Sequence, residues 1–145
     1  MLMAAATYSV VVIQVLSILF GINHMPPSIR VLGFVVGLSG DVIFLAAVAC
    51  MRDSWRAGIP ESDKTEIVTS GIYAVSRNPA FLGFDLMYIG EFLMYANVAT
   101  AIFTAFAVVM LHLQILQEER YMAATYGAEY AAYKSTVRRY FGRIG

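Results

Sequence analysis

Residues 79–117 read PAFLGFDLMYIGEFLMYANVATAIFTAFAVVMLHLQILQ. Two apolar runs, about Pro79–Tyr95 and Val98–Gln117, are separated only by Ala96-Asn97. Each approaches the ~20 helical residues needed to cross a ~30 Å hydrocarbon layer. So tight a join predicts an antiparallel helical hairpin.

Working outward, two more apolar runs precede this hairpin, at about 4–21 and 29–51, and the loop Asn23-His24-Met25-Pro26-Pro27 separates them. Proline supplies no amide hydrogen and restricts the residue before it, so the chain breaks there. A cleaved leader is the weaker reading of the first run, because no positive charge precedes it and no small-residue cleavage site closes it. The expectation is an all-α integral membrane protein, one domain over residues 1–145, with four transmembrane helices. Residues 52–78 and 118–145 then form the polar cytoplasmic segments, the second a helix folded back across the cytoplasmic face.

Composition supports a membrane solvent. The 145 residues are 59% hydrophobic and 14% charged, against ~45–50% and ~25% in soluble domains. This excludes a disordered chain and an ordinary soluble enzyme. Ten basic residues balance ten acidic ones, so no bulk field recruits a nucleic acid. One cysteine excludes a disulfide framework and a cysteine-built metal site.

Charge placement orients the bundle. Arg52, Arg56, Lys64 and Arg77 lie between spans two and three, and Arg120, Lys134, Arg138, Arg139 and Arg143 follow span four. Only Arg30 falls on the other side. The positive-inside rule then sets both termini in the cytoplasm.

Asp41, Asp85, Glu91 and His112 fall inside the spans, where ionisable groups are costly and usually paired or functional. Asp85 lies ~9 Å into span three and His112 ~8 Å from the cytoplasmic end of span four. The two are expected to meet across the hairpin, as a buried hydrogen-bonded pair. Asp41 and Glu91, nearer mid-membrane, are expected to bond Gln14 or a tyrosine. His112, Glu119, Tyr126 and Tyr133 recur every seven residues, one stripe if the helix is continuous. That stripe is either a packing face or a cofactor wall with aromatic faces for a cation. Gly127 is the alternative, a break that swings the last tyrosines around.

Thr69–Pro79 places a glycine, a tyrosine, a basic residue and an Asn-Pro step immediately before a span. Asn78 is placed to cap the coming helix and Pro79 suits its first turn. The helix N-terminus favours a carboxylate, and Arg77 is a bidentate donor for the same group.

These residues carry a resemblance. GIYAVSRNPAFLG (residues 71–83) is similar to the Gly-x-Tyr-x-x-x-Arg-(His/Asn)-Pro-x-(Tyr/Phe)-x-Gly motif of the isoprenylcysteine carboxyl methyltransferases and related membrane phospholipid methyltransferases. EERYMAATYGAEYAAYKSTVRR (residues 118–139) resembles that family's second signature, Glu-Glu-x-x-(Leu/Met)-x-x-x-(Phe/Tyr)-Gly-x-x-Tyr-x-x-Tyr. Met51–Gly58, MRDSWRAG, resembles a Ser-Trp-Arg-x-Gly segment of the bacterial carboxyl-methyltransferase branch. Asn78 stands where many relatives have His, and the ending Arg-Arg-Tyr-Phe-Gly differs from their Arg-hydrophobic-Pro.

The resemblance implies S-adenosylmethionine as methyl donor, S-adenosylhomocysteine as product, and a bacterial inner-membrane location. By position, Tyr73, Asn78, Pro79, Gly83 and His112 would line the cofactor pocket. Glu118 and Glu119 would face it, one binding the methionine amino group. Tyr126, Tyr130 and Tyr133 would close it near the adenosine. Arg77 and Arg56 would hold and orient the acceptor, a lipophilic or prenylated carboxylate entering from the bilayer. Methyl transfer from a sulfonium needs alignment more than acid–base machinery. A carboxylate acceptor is already ionised, whereas an aminolipid nitrogen must first lose a proton. The alternatives are that phospholipid or aminolipid N-methyltransferase, a nicotinamide-dependent sterol-type reductase, and a non-enzymatic membrane adaptor.

Overall fold

Proline and glycine set the punctuation of the chain. The computed structural model describes the backbone of residues 2–51 and 67–144. In chain order these form α1 (Leu2–Leu19), α2 (Pro27–Met51), a 3-10 turn (Gly71–Ala74), α3 (Pro79–Met94), α4 (Val98–Tyr126) and α5 (Ala128–Thr136). No strand forms among the described residues; Val137 and Arg143 make a single antiparallel bridge. The segment Met51–Gly58 that resembles the bacterial branch lies, after Met51, outside the described residues, and Arg56 with it.

Two of these helices, α2 with 25 residues and α4 with 29, are long and apolar enough to cross a membrane. Their outward faces are correspondingly greasy: Val31 and Leu45 on α2 are each 64% exposed, and Ile102 on α4 is 61% exposed. An apolar face this extensive is stable only against lipid or another protein. At ~1.5 Å per residue α4 is ~43 Å long, more than the ~30 Å hydrocarbon thickness. Its charged residues Glu118, Glu119 and Arg120 fall in the last turns of this helix.

Asn97 starts α4 with a capping box. Its side chain accepts from Thr100 N at 3.0 Å, and its own amide donates to Thr100 Oγ1 at 2.9 Å. Two first-turn donors are satisfied in this way, and the three residues Tyr95-Ala96-Asn97 suffice to join α3 to α4.

Glycines fix how α2 meets α3. A Cβ on Gly40 would come within 2.5 Å of Gly83 O, and one on Gly33 within 2.7 Å of Gly90 O. The two backbones touch directly at both levels, the small-residue packing favoured between helices in lipid. Beside this seam Phe44 and Phe84 pack at 4.8 Å. Tyr88 ties α3 to α1, its hydroxyl donating to Thr7 Oγ1 at 2.9 Å.

Several interior polar residues sit differently from the sequence expectation. Asp85 and His112 do not pair: Asp85 Oδ1 is buried without a hydrogen-bond partner, and His112 Nδ1 meets the Tyr140 hydroxyl instead. The tail brings its own phenol to the histidine. Gln14 does reach Glu91, but through the backbone carbonyl at 2.7 Å, leaving Glu91 Oε2 buried and unpartnered. The helix is not continuous through the seven-residue stripe either. Gly127, at φ +50°, separates α4 from α5, a conformation that costs other L-residues energy. His112, Glu119 and Tyr126 stay on α4 while Tyr133 turns away on α5.

Candidate functional site

The turn at Gly127 folds α5 and the tail back onto the junction that precedes α3. Backbone hydrogen bonds stitch the two together: Arg77 N to Arg138 O at 3.1 Å and Gly142 N to Val75 O at 2.7 Å. Tyr133 seals the contact, its hydroxyl donating to Tyr73 O at 2.6 Å and to Ser76 O at 3.3 Å. Tyr130, Tyr133 and Val137 form a buried cluster, with Ile67, Met122 and Tyr126 packed around it.

Burial, then the Glu119 charge, pushes the Tyr130 phenol up to about 12 against the opposing pull of Arg77 and Arg139. Burial and then neighbouring Tyr130 raise Tyr133 as well. Tyr73 is raised by burial first, then by Tyr133, Cys50 and Glu118. All three phenols are therefore neutral near pH 7.

At the centre is Glu119. Its Oε1 accepts from Arg77 Nη2 at 2.8 Å, Asn78 Nδ2 at 3.1 Å and Arg139 Nε at 3.2 Å. Its Oε2 accepts from Arg139 Nη2 at 2.9 Å. Burial alone would raise this carboxyl, but the hydrogen bonds from Arg139, Arg77 and Asn78 outweigh it and hold it at about 2. Arg77 is anchored at the other end by the carbonyls of Val137 at 3.0 Å and Lys134 at 3.2 Å. Its side chain is 6% exposed, whereas that of Arg139 is 33% exposed. Arg139 is thus the open face of the cluster.

Asn78 occupies the position before α3, with Pro79 in the first turn, but its side chain makes no cap bond. It is drawn instead to Glu119 and to Arg139 O at 3.2 Å, the stronger charge-assisted option. Glu118, one residue earlier, faces a different set of groups; Gln114 Nε2 donates to it at 3.3 Å. Burial raises the Glu118 carboxyl and the Gln114 bond opposes the shift.

Tyr73, Arg77, Asn78, Pro79, Glu118, Glu119, Tyr126, Tyr130 and Tyr133 thus gather at one end of the bundle. Gly83 does not join them: it faces Gly40 and Phe44 in the α2–α3 seam, where its lack of a side chain is needed for packing. His112 is occupied by Tyr140, with the two rings stacked at 6.0 Å. Arg139 is the member that sequence reasoning passed over, since the Arg138-Arg139 pair reads only as positive-inside charge. A cleft of about 450 Å³ opens beside α5, lined by Thr69, Ala74, Glu129, Tyr133, Thr136 and Arg143 among others. Glu118, Glu119, Arg77 and Asn78 are not part of that lining.

The sequence profile of the phospholipid methyltransferase family matches residues 28–129. The chain belongs to this family. The matched stretch holds the whole α2–α3 seam, the junction before α3, and both Glu118 and Glu119. Protein-S-isoprenylcysteine O-methyltransferase B of Arabidopsis thaliana is 33% identical over 110 residues, covering 72% of this chain and 55% of that protein. The A form of the same organism is 28% identical over the same shares. Protein-S-isoprenylcysteine O-methyltransferase of Schizosaccharomyces pombe is 32% identical over 72 residues, 49% of this chain and 30% of the relative. The chain therefore spans about half the length of the Arabidopsis proteins it matches. No solved structure matches it significantly. Membership of a membrane-enzyme family and two span-length apolar helices make this a membrane protein.

Proposed function

We propose that this chain is a membrane S-adenosylmethionine-dependent methyltransferase acting on a lipophilic carboxylate of the isoprenylcysteine class. One observation carries the reading. The two segments that resemble the family's signatures, far apart in sequence, interlock through Glu119, Arg77 and Asn78. The relatives' names supply the reaction class. In this reading all four apolar helices span the bilayer, with the cluster on the cytoplasmic side.

The residues suit such a donor. Arg77 Nε is buried without a hydrogen-bond partner, a spare donor for a carboxylate. Glu118 lacks the arginine pairing that occupies Glu119, which leaves it suited to an ammonium group. Bound there, S-adenosylmethionine supplies a methyl group on a sulfonium. Glu118 then faces the amino group, and Tyr73, Asn78 and Pro79 border the same junction. Tyr126, Tyr130 and Tyr133 add aromatic surface of the kind that favours a neighbouring cation. Glu119 is a positioning residue that fixes both guanidiniums.

Arg77 is enclosed, so Arg139, with its open face, is the better placed to hold an acceptor carboxylate. Aligning the two reactants can supply ~7–11 kcal/mol without a base. An aminolipid acceptor needs one, and His112 is turned to Tyr140, with the two rings stacked, rather than bonded to the Glu119 cluster. That favours the carboxylate.

The test is calorimetric titration of the detergent-purified protein with S-adenosylhomocysteine. It is followed by labelled methyl transfer to N-acetyl-S-farnesylcysteine and, separately, to phosphatidylethanolamine. Micromolar binding with label on the farnesylcysteine is the expected result. A folded protein that binds neither S-adenosylhomocysteine nor S-adenosylmethionine overturns the methyltransferase reading. Label on the aminolipid alone overturns the choice of acceptor.

A further inference from the structure

Arg30 is the basic residue that the other nine leave behind. It sits in the first turn of α2, seventeen residues before Ala47, which packs with Tyr73 beside the cluster. Along the helix that separation is ~26 Å, close to the thickness of the hydrocarbon layer. Arg30 therefore marks the opposite membrane boundary.

Its surroundings are built but neutral. The guanidinium lies over the Tyr95 ring at 5.0 Å from the centroid, and Nη2 donates to the Tyr95 hydroxyl at 3.3 Å. Both ion pairs among the described residues belong to Glu119, so no carboxylate there neutralises Arg30. Its Nε is buried with no hydrogen-bond partner. The rim around it is held in place: His24 N and Nδ1 both meet Ala96 O, at 3.1 and 3.2 Å, and Asn23 Nδ2 donates to Met94 O at 3.0 Å.

A half-buried cation with an idle donor is expensive unless an anion completes it. At headgroup depth the anion at hand is a lipid phosphate, and a guanidinium matches phosphate oxygens two at a time. Tyrosine at the same level is a typical interfacial neighbour. We propose that Arg30, oriented by Tyr95, binds the phosphate of a phospholipid on the face opposite the Arg77–Glu119 cluster. Arg30 lies outside the cluster, so the site stands or falls independently of the methyltransferase reading.

The experiment uses the delipidated full chain in detergent and reads lipid-dependent thermal protection and native-mass adducts. Phosphatidylglycerol should protect and form a retained one-lipid adduct, whereas diacylglycerol with the same chains should not. Arg30→Gln should weaken phosphatidylglycerol binding at least tenfold, with Arg30→Lys and Tyr95→Phe intermediate. Equal protection of the wild-type chain by diacylglycerol overturns the proposal, whatever the variants do. So does an Arg30→Gln protein that binds phosphatidylglycerol as the wild type does. Protection by inorganic phosphate at the same concentration overturns the lipid as its source.

Discussion

Glu119 on α4 and Arg77 before α3, 42 residues apart in sequence, meet at 2.8 Å with both side chains almost fully enclosed. Arg139 from the tail closes on the same carboxylate at 2.9 Å. One acidic group thus holds three separate pieces of chain together.

Glu119→Gln should be strongly destabilising. Removing one member of an enclosed charge cluster leaves the others without compensation, a loss on the order of 3 kcal/mol. Unfolding in detergent should show a clearly lower midpoint. Glu118→Gln, which disturbs no ion pair, should keep the wild-type midpoint and weaken S-adenosylhomocysteine binding tenfold or more. A Glu118→Gln protein with unchanged affinity would remove that residue from the cofactor site.

The same carboxyl should leave a pH signature. Glu119 is held at about 2 against an ordinary 4.5, so its pKa falls on folding. Its stabilisation is complete above pH 4.5 and disappears as pH drops toward 2. The gap in melting temperature between wild type and Glu119→Gln should be constant from pH 8 to about 5 and narrow below 4.5. A gap that widens on acidification would contradict the assignment.

Tyr133→Phe deletes the hydroxyl that reaches Tyr73 O at 2.6 Å and Ser76 O at 3.3 Å. Two enclosed carbonyls lose a donor, at a cost of about 1–3 kcal/mol. Amide hydrogen exchange should quicken in 71–78 and in α5 together, since the phenol links them. Faster exchange in only one of the two segments would count against that linkage.

Neighbouring glycines of α2 should respond differently to one added methyl. At Gly40 a Cβ meets Gly83 O at 2.5 Å, but at Gly37 the nearest atom is Gly90 Cα at 3.8 Å. Gly40→Ala should force the helices apart and cost about 1–3 kcal/mol, whereas Gly37→Ala should stay within about 0.5 kcal/mol. Parallel melts of the two variants decide the matter.

What could be read from the sequence divides by physical range. Apolar runs and proline breaks placed α3 and the start of α4 nearly to the residue, because span length and capping are local properties. The gathering of Tyr73, Asn78 and Glu119 was foreseen through two recognisable signatures. Partner choice within the cluster was not legible. Asn78 carries every mark of a cap, but a carboxylate from α4 arrives close enough to claim its amide. Asp85 and His112 have matching depths, and only the path of the tail decides that Tyr140 reaches the histidine first. Gly83 matches a pocket motif by spacing, and its packing role appears only once Gly40 is seen across from it. The signal was present in Gly33, Gly37 and Gly40, spaced along one face of α2.

Backbone contact between Gly40 and Gly83, and again between Gly33 and Gly90, has a bearing on traffic within the bilayer. Two helices in direct main-chain contact leave no slot through which an acyl or prenyl tail can slide. On the proposed reading, a greasy substrate bound for Arg139 must come round another flank of α3, and that closed wall narrows the search for its doorway.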